Sequence, residues 1–125
     1  MYILKSIFGL MIQKIVLISA LAVLLHRILG WEFTLLAGMV AGLWERGWLP
    51  GMVGVGSSWA GWHLYHWVRA PEGYARLLDT LGVLAGGVPP LVVVAVSVSV
   101  GIALGGLGAV LGSAIVQIVG RNVRT

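Results

Sequence analysis

A long run without charge dominates the C-terminal half of the chain. No Asp, Glu, Lys or Arg occurs from Thr80 to Val119. Within this run, the segment from Leu91 to Val119 exceeds the roughly 20 apolar residues that a helix needs to cross a hydrocarbon core of about 30 Å. The run therefore predicts a membrane-spanning helix at about residues 90–120, after the break at Pro89-Pro90.

Glycines recur along this helix at spacings of four, three and four residues. At 100° per residue they share one face, roughly 80° wide, with a serine. Because no bulky side chain fills this face, the backbone of another helix can approach closely, and such contact drives helix association in lipid. We predict that this face, here called the glycine stripe, packs against other helices; it consists of Ser97, Gly101, Gly105, Gly108 and Gly112.

The composition favours a membrane protein over a soluble one. Of 125 residues, 59% are hydrophobic and 10% are charged, which leaves too little polar surface to cover a soluble domain. The absence of cysteine excludes disulfides, thiol catalysis and cysteine-ligated metals. The scarcity of Asn and Gln is compatible with a thermophilic source. We predict a small all-α integral membrane protein that forms a single helical domain over residues 1–125.

Two further regions complete the predicted architecture. Residues 3–29 are expected to form a second long hydrophobic helix that ends near Gly30. The middle, residues 31–86, is expected to be broken and to contain short or interfacial helices. Residues 31–49 fit a bent continuation, a re-entrant piece or an interfacial helix, while Pro50-Gly51 predicts a break and residues 51–58 a flexible segment. A turn is expected at residues 71–73.

Aromatic side chains with polar tips concentrate in this middle region. Such side chains favour the boundary between membrane and water, where one end of the ring system is apolar and the other hydrated. We predict an interfacial belt that consists of Trp31, Trp44, Trp48, Trp59, Trp62, Tyr65 and Trp67.

The excess of positive charge lies at the two ends of the chain. Between Arg27 and Asp79 the arginines and the acidic residues balance, so the terminal residues account for the net charge of +4. The positive-inside rule then predicts that both termini lie on the cytoplasmic side of the membrane. The candidates for contact with lipid headgroups or phosphate are Lys5, Lys14, Arg121 and Arg124.

Few residues suggest chemistry. His63 and His66 are three residues apart and, with His26, can ligate a metal or a haem iron. No carboxylate stands beside the pair, however, and histidines among tryptophans are common at membrane interfaces. The sequence also lacks a phosphate-binding loop, a nucleophile elbow and a paired-carboxylate site, and the long C-terminal helix holds no ionisable group. We predict that the protein is not an enzyme.

The layout of the chain resembles the pilins of conjugation machinery, and most of all the related archaeal DNA-import pilins. The resemblance rests on the apolar segment from Ile15 to Leu25, on the glycine stripe, and on the short basic tail with Arg121 and Arg124. It covers the whole chain in layout, without a diagnostic motif.

This resemblance implies a subunit that resides in the cell membrane and then polymerises into an extracellular helical filament. It also implies lipid bound between identical subunits, and a lumen through which single-stranded DNA passes without being read for sequence. Two alternatives stay open. The chain can be a small accessory subunit of a larger membrane complex, respiratory or translocating, or a membrane protein that binds haem through His26, His63 and His66.

Overall fold

The structure, a computed structural model, describes residues 1–44 and 47–122 of the chain, without the side chain of residue 122. It contains five α-helices and a short 3-10 turn at Trp31–Phe33, and no strand occurs in these two ranges. The predicted all-α class is therefore confirmed. The helices are α1 (Tyr2–Ile28), α2 (Thr34–Gly42), α3 (Trp48–Arg69), α4 (Pro71–Leu84) and α5 (Pro90–Asn122).

The two predicted long hydrophobic helices correspond to α1 and α5. At 1.5 Å per residue, α1 is about 40 Å long and α5 about 50 Å long. Among the described residues, these two helices are the ones that are both long enough and apolar enough to cross a membrane.

The middle of the chain is more regular than the sequence suggests. Residues 51–58, predicted to be flexible, lie inside α3, and the expected break at Pro50-Gly51 is wrong because α3 begins at Trp48. Pro50 is tolerated in the first turn of the helix, where backbone N–H groups have no partner within the helix. The turn expected at residues 71–73 is shorter, since Pro71 already occupies the first position of α4 and Ala70 alone separates α3 from α4.

Glycine allows the chain to turn at the two ends of this middle region. Gly30 follows α1 with a φ of 120°, and Gly86 and Gly87 follow α4 with φ values of 93° and 86°. Side chains with a Cβ rarely adopt such angles. Of the three predicted breaks, the one at Gly30 is therefore a turn made by glycine, and the one at Pro89-Pro90 directly follows such a turn at Gly86-Gly87.

Contacts between the helices define their directions. Ile18 of α1 lies beside Gly54 of α3, and His26 lies beside Trp62, so α1 and α3 run in parallel. Contacts between α3 and α5 run in the opposite order, because Trp59 meets Gly101 whereas Val55 meets Gly105. The N-terminus of α1 and the C-terminus of α5 consequently lie at the same end of the protein.

The bundle is layered. Helices α2 and α3 pack against each other and against both long helices, whereas α1 and α5 do not contact each other in the described ranges. The small core between the layers is formed by Ile18, Ala22, Ala37, Ala41 and Val55, which are almost fully buried. Helix α4 packs against α5 and α3 at the end opposite the termini.

Candidate functional site

The glycine stripe of α5 lies against α2 and α3 of the same chain. All four of its glycines are buried. A Cβ added at Gly105 would overlap the carbonyl oxygen of Gly51 on α3, and one added at Gly112 would overlap the carbonyl oxygen of Met39 on α2. The backbones of three helices therefore meet along this face, which is closed within one protomer.

The neighbouring helices contribute small residues of their own. Gly38 and Gly42, four residues apart on α2, lie against Gly105 and Ala109, four residues apart on α5. This parallel pairing of small residues at a spacing of four brings two helix backbones into direct contact. The sequence analysis noticed the spacing on α5 alone, although the same signal is visible at residues 38 and 42.

Trp59 packs against the glycine stripe at Gly101. Its ring carbons would lie 2.5 Å from a Cβ at Gly101. Its indole nitrogen donates a hydrogen bond of 3.4 Å to the hydroxyl of Thr34, which in turn donates one of 2.6 Å to the carbonyl oxygen of Trp31. Trp59 thereby joins α2, α3 and α5 at one point, in addition to its predicted place among the interfacial aromatics.

The polar centre of the protein is a three-residue network, here called the His63 network. The two ring nitrogens of His63 on α3 are hydrogen-bonded to the hydroxyl of Tyr74 on α4 and, at 2.9 Å, to the hydroxyl of Ser97 on α5. Burial raises the pKa of the Tyr74 hydroxyl, which keeps it neutral and available as a donor. Ser97, predicted as a packing residue of the stripe, therefore also takes part in a polar contact.

Aromatic rings are stacked beside this network. The ring of His66 is stacked on Trp62 and on Tyr74, with ring centroids 5.6 and 6.2 Å away, and the ring of His26 lies tilted against Trp62 at 5.2 Å. The residues from His26 to Trp31, from Trp59 to Arg69, and around Ser97 thus gather at one end, which we call the aromatic end. The stack holds α1, α3 and α4 together there.

The three candidate metal ligands make other contacts. Both ring nitrogens of His63 are hydrogen-bonded, and the ring of His66 is stacked on Trp62. The ring of His26 lies tilted against Trp62, and its Nδ1 is buried without a hydrogen-bond partner among the described residues. In residues 1–44 and 47–122, no group of three His, Asp or Glu side chains is placed so that it could hold a metal ion.

The opposite end, here called the terminal end, carries the other predicted side chains. Lys14 lies over the ring of Trp44 with its amino group 5.7 Å from the ring centroid, a cation–π contact, and it lies close to Trp48 at the start of α3. Lys5 and Arg121 are exposed near the ends of α1 and α5. Arg124 lies outside the described residues. Trp67 belongs to the aromatic end and is 63% exposed.

The His63 network gives a first testable prediction. His63→Phe keeps an aromatic ring but leaves the hydroxyls of Tyr74 and Ser97 without a partner, which costs about 1 to 3 kcal/mol. We expect α4 to detach more often from α3 and α5, so that its amide hydrogens exchange faster while those of α2 do not. His66→Phe is the matched control, because His66 contacts its neighbours by stacking. Equal exchange rates in the two variants would contradict the prediction.

Comparison with known proteins does not assign the chain to a family. No family model matches it, and neither a curated protein nor a solved structure shows significant similarity to it.

Proposed function

We propose that the chain is a structural integral membrane subunit that works by assembling with other helices at its terminal end. The observation that carries this proposal is that α1 and α5 both extend past the other helices there. By the register of Ile18 with Gly54, residues 2–11 lie beyond the start of α3, and residues 113–121 follow Gly112, the last buried residue in the described part of α5. We call these segments the α1 leg and the α5 leg.

The two legs are largely apolar and exposed, although Ile7, Leu10 and Met11 also line a cavity with residues 48–50 at the start of α3. Each is roughly 15 Å long. Together they expose many large hydrophobic side chains. A large exposed apolar surface marks an interaction surface or contact with lipid. The exposed side chains are Ile3, Leu4, Ile7, Phe8, Leu10, Ile115, Val116, Ile118 and Val119.

The distance along α3 between its two aromatic regions argues that a protein partner, and not lipid alone, covers the legs. Trp48 lies about 21 Å below Trp62 along α3, whereas a hydrocarbon core is about 30 Å thick. If Lys14, Trp44 and Trp48 mark the membrane surface, the apolar legs extend into water. If the legs are submerged instead, the non-helical backbone at residues 43, 44 and 47 lies at hydrocarbon depth, where it is tolerated when protein or a water-filled cavity covers it. A protein partner between the legs would cover the apolar side chains in the first case and the non-helical backbone in the second.

The pilin interpretation is one form of this proposal. Identical subunits would then meet through the legs, since the glycine stripe is occupied within each protomer, and lipid would fill the gaps between subunits. Lys5 and Arg121, which lie on the legs, would be placed to contact lipid headgroups or the phosphates of single-stranded DNA in a lumen. The accessory-subunit interpretation uses the same legs against unlike chains of a larger complex.

Cysteine-directed photocrosslinking tests the proposal on the full chain, which has no native cysteine to interfere. A benzophenone attached to Ile118→Cys on the α5 leg should form protein adducts in native membranes. The control is Val83→Cys on α4, where the side chain is 74% exposed but far from the legs. An adduct of twice the chain mass indicates self-assembly, and another mass indicates an unlike subunit. Equal labelling from both positions, or none from the leg, would refute the proposal.

Negative-stain images of the purified material separate the forms of assembly further. Filaments select the pilin interpretation, and compact particles that contain other chains select the accessory subunit. A Soret absorption band would instead favour the haem-binding alternative.

A further inference from the structure

A lateral groove of about 1060 Å³ runs between α1 and α3 toward the aromatic end. It starts at the level of Ile15, runs past the tight contact of Ile18 with Gly54, and ends near the place where His26 lies against Trp62. Between these two contacts both helices carry small residues, so neither fills the space. The groove reflects the small methyl side chain of Ala20 and the absence of a side chain at Gly61, where an added Cβ would meet no atom within 4 Å.

The lining of the groove changes in chemistry along its length. Its walls from Ile15 to Leu24 are almost entirely apolar, and its upper end is lined by Arg27, Trp62 and Tyr65. Arg27 is exposed and is the charged side chain among the lining residues that the structure describes. The groove is thus apolar along most of its length and ends at one cation and two aromatic rings with polar tips. This order of apolar and polar groups matches that of a phospholipid within one leaflet.

The dimensions agree with this occupant. From Ile15 to Arg27 the groove follows twelve residues of α1, which correspond to about 18 Å. Half of a hydrocarbon core is about 15 Å thick, so one acyl chain reaches from the headgroup level to the bottom of the groove. The guanidinium of Arg27 has a fork of donors that matches the oxygens of a phosphate group.

We propose that this groove binds one anionic phospholipid, with an acyl chain between α1 and α3 and its phosphate on Arg27. The site lies within a single protomer and does not involve the legs. The inference rests on the membrane placement proposed above and is independent of what covers the legs. Burial of the acyl chain in the groove stabilises the complex of protein and lipid in proportion to the apolar surface that is buried. Arg27 gives the site its preference for an anionic headgroup.

Native mass spectrometry of the full chain, released from nanodiscs of equal phosphatidylglycerol and phosphatidylcholine, tests the proposal. We expect the wild type to retain one phosphatidylglycerol in preference to phosphatidylcholine. Gly61→Leu should lose the retained lipid, because its side chain occupies the groove without a clash. Gly73→Leu is the matched control, since a Cβ at Gly73 also meets open space but lies on α4. This control should retain the lipid.

The charge of the headgroup is tested by a second pair of variants. Arg27→Gln should lower the preference for phosphatidylglycerol about fivefold, the contribution of one basic residue near an anionic membrane surface. Arg69→Gln, which removes an arginine outside the groove, should keep the preference. Circular dichroism establishes that each variant is folded.

Several outcomes would overturn the proposal. Equal retention of the two lipids by the wild type would make the groove an unselective apolar surface. Undiminished retention by folded Gly61→Leu would place the lipid elsewhere, and a change of oligomeric state in that variant would make the occupant a second copy of the chain. Failure of the wild type to enter the nanodisc would refute the membrane placement as well. Absence of leg crosslinks with normal lipid retention would refute the assembly proposal alone.

Discussion

Gly105→Ala should lower the free energy of unfolding by about 3 kcal/mol, at the upper end of the usual cost of overpacking. The added Cβ meets the backbone of Gly51 and not a flexible side chain, so relief requires α3 and α5 to move apart. That movement also separates Gly101 on α5 from the side chain of Trp59 on α3. The loss should appear in denaturant unfolding of the single chain in detergent micelles, followed by circular dichroism.

The matched control for this variant lies on the same helix. A Cβ at Gly120 meets no atom within 4 Å. Gly120→Ala should therefore be neutral or stabilise the helix by up to about 1 kcal/mol, because alanine has the higher helix propensity. Equal stability of the two variants would mean that the close contact between α3 and α5 does not exist. From the sequence alone, the glycine stripe was expected to pack against other helices. Its contacts lie on α2 and α3 of the same chain, so the structure predicts that the substitution destabilises the single chain.

Trp59→Ala should be the second strongly destabilising change, with a loss of about 3 to 5 kcal/mol. The indole packs on Gly101, lies edge-on to the rings of His26 and Trp31, and donates to the hydroxyl of Thr34. Its removal leaves a cavity where α1, α2, α3 and α5 converge. The Thr34 hydroxyl, which is fully buried, loses one of its two hydrogen bonds.

Trp67→Ala provides the comparison, since it deletes the same side chain from a position of α3 that is 63% exposed. Its cost should stay below about 1 kcal/mol, as is usual for surface substitutions. Thermal unfolding of both variants in the same detergent gives the difference directly. Similar midpoints for the two would show that Trp59 does not join the helices.

Regular features of the sequence were sufficient for the class of fold. The charge-free run predicted α5, the apolar N-terminal segment predicted α1, and both helices begin and end within two residues of the predicted bounds. The middle could not be predicted equally well from local signals. Pro50 and the glycines that follow it resemble a break, because their propensities disfavour helix, yet packing of those glycines against Ile18 and Ile102 compensates within α3.

Composition, and periodicity along one helix, are enough to predict two long apolar helices, a surface of small residues on the second, and aromatic side chains suited to an interface. They do not predict what the surface of small residues touches, which becomes visible in the packing of the helices. Whether a glycine face meets another copy or another part of the same chain depends on contacts between residues far apart in sequence.

The same reason governs the candidate sites. The His63 network joins residues 63, 74 and 97, and the groove combines Arg27 with Gly61, through pairings that no local spacing encodes. In the sequence, Arg27 is one of several arginines that are balanced by acidic residues, and Gly61 is one of many small residues, so neither stands out as part of a site. The two residues form one site because α1 and α3 run in parallel and place Arg27 at the end of a groove that no side chain fills.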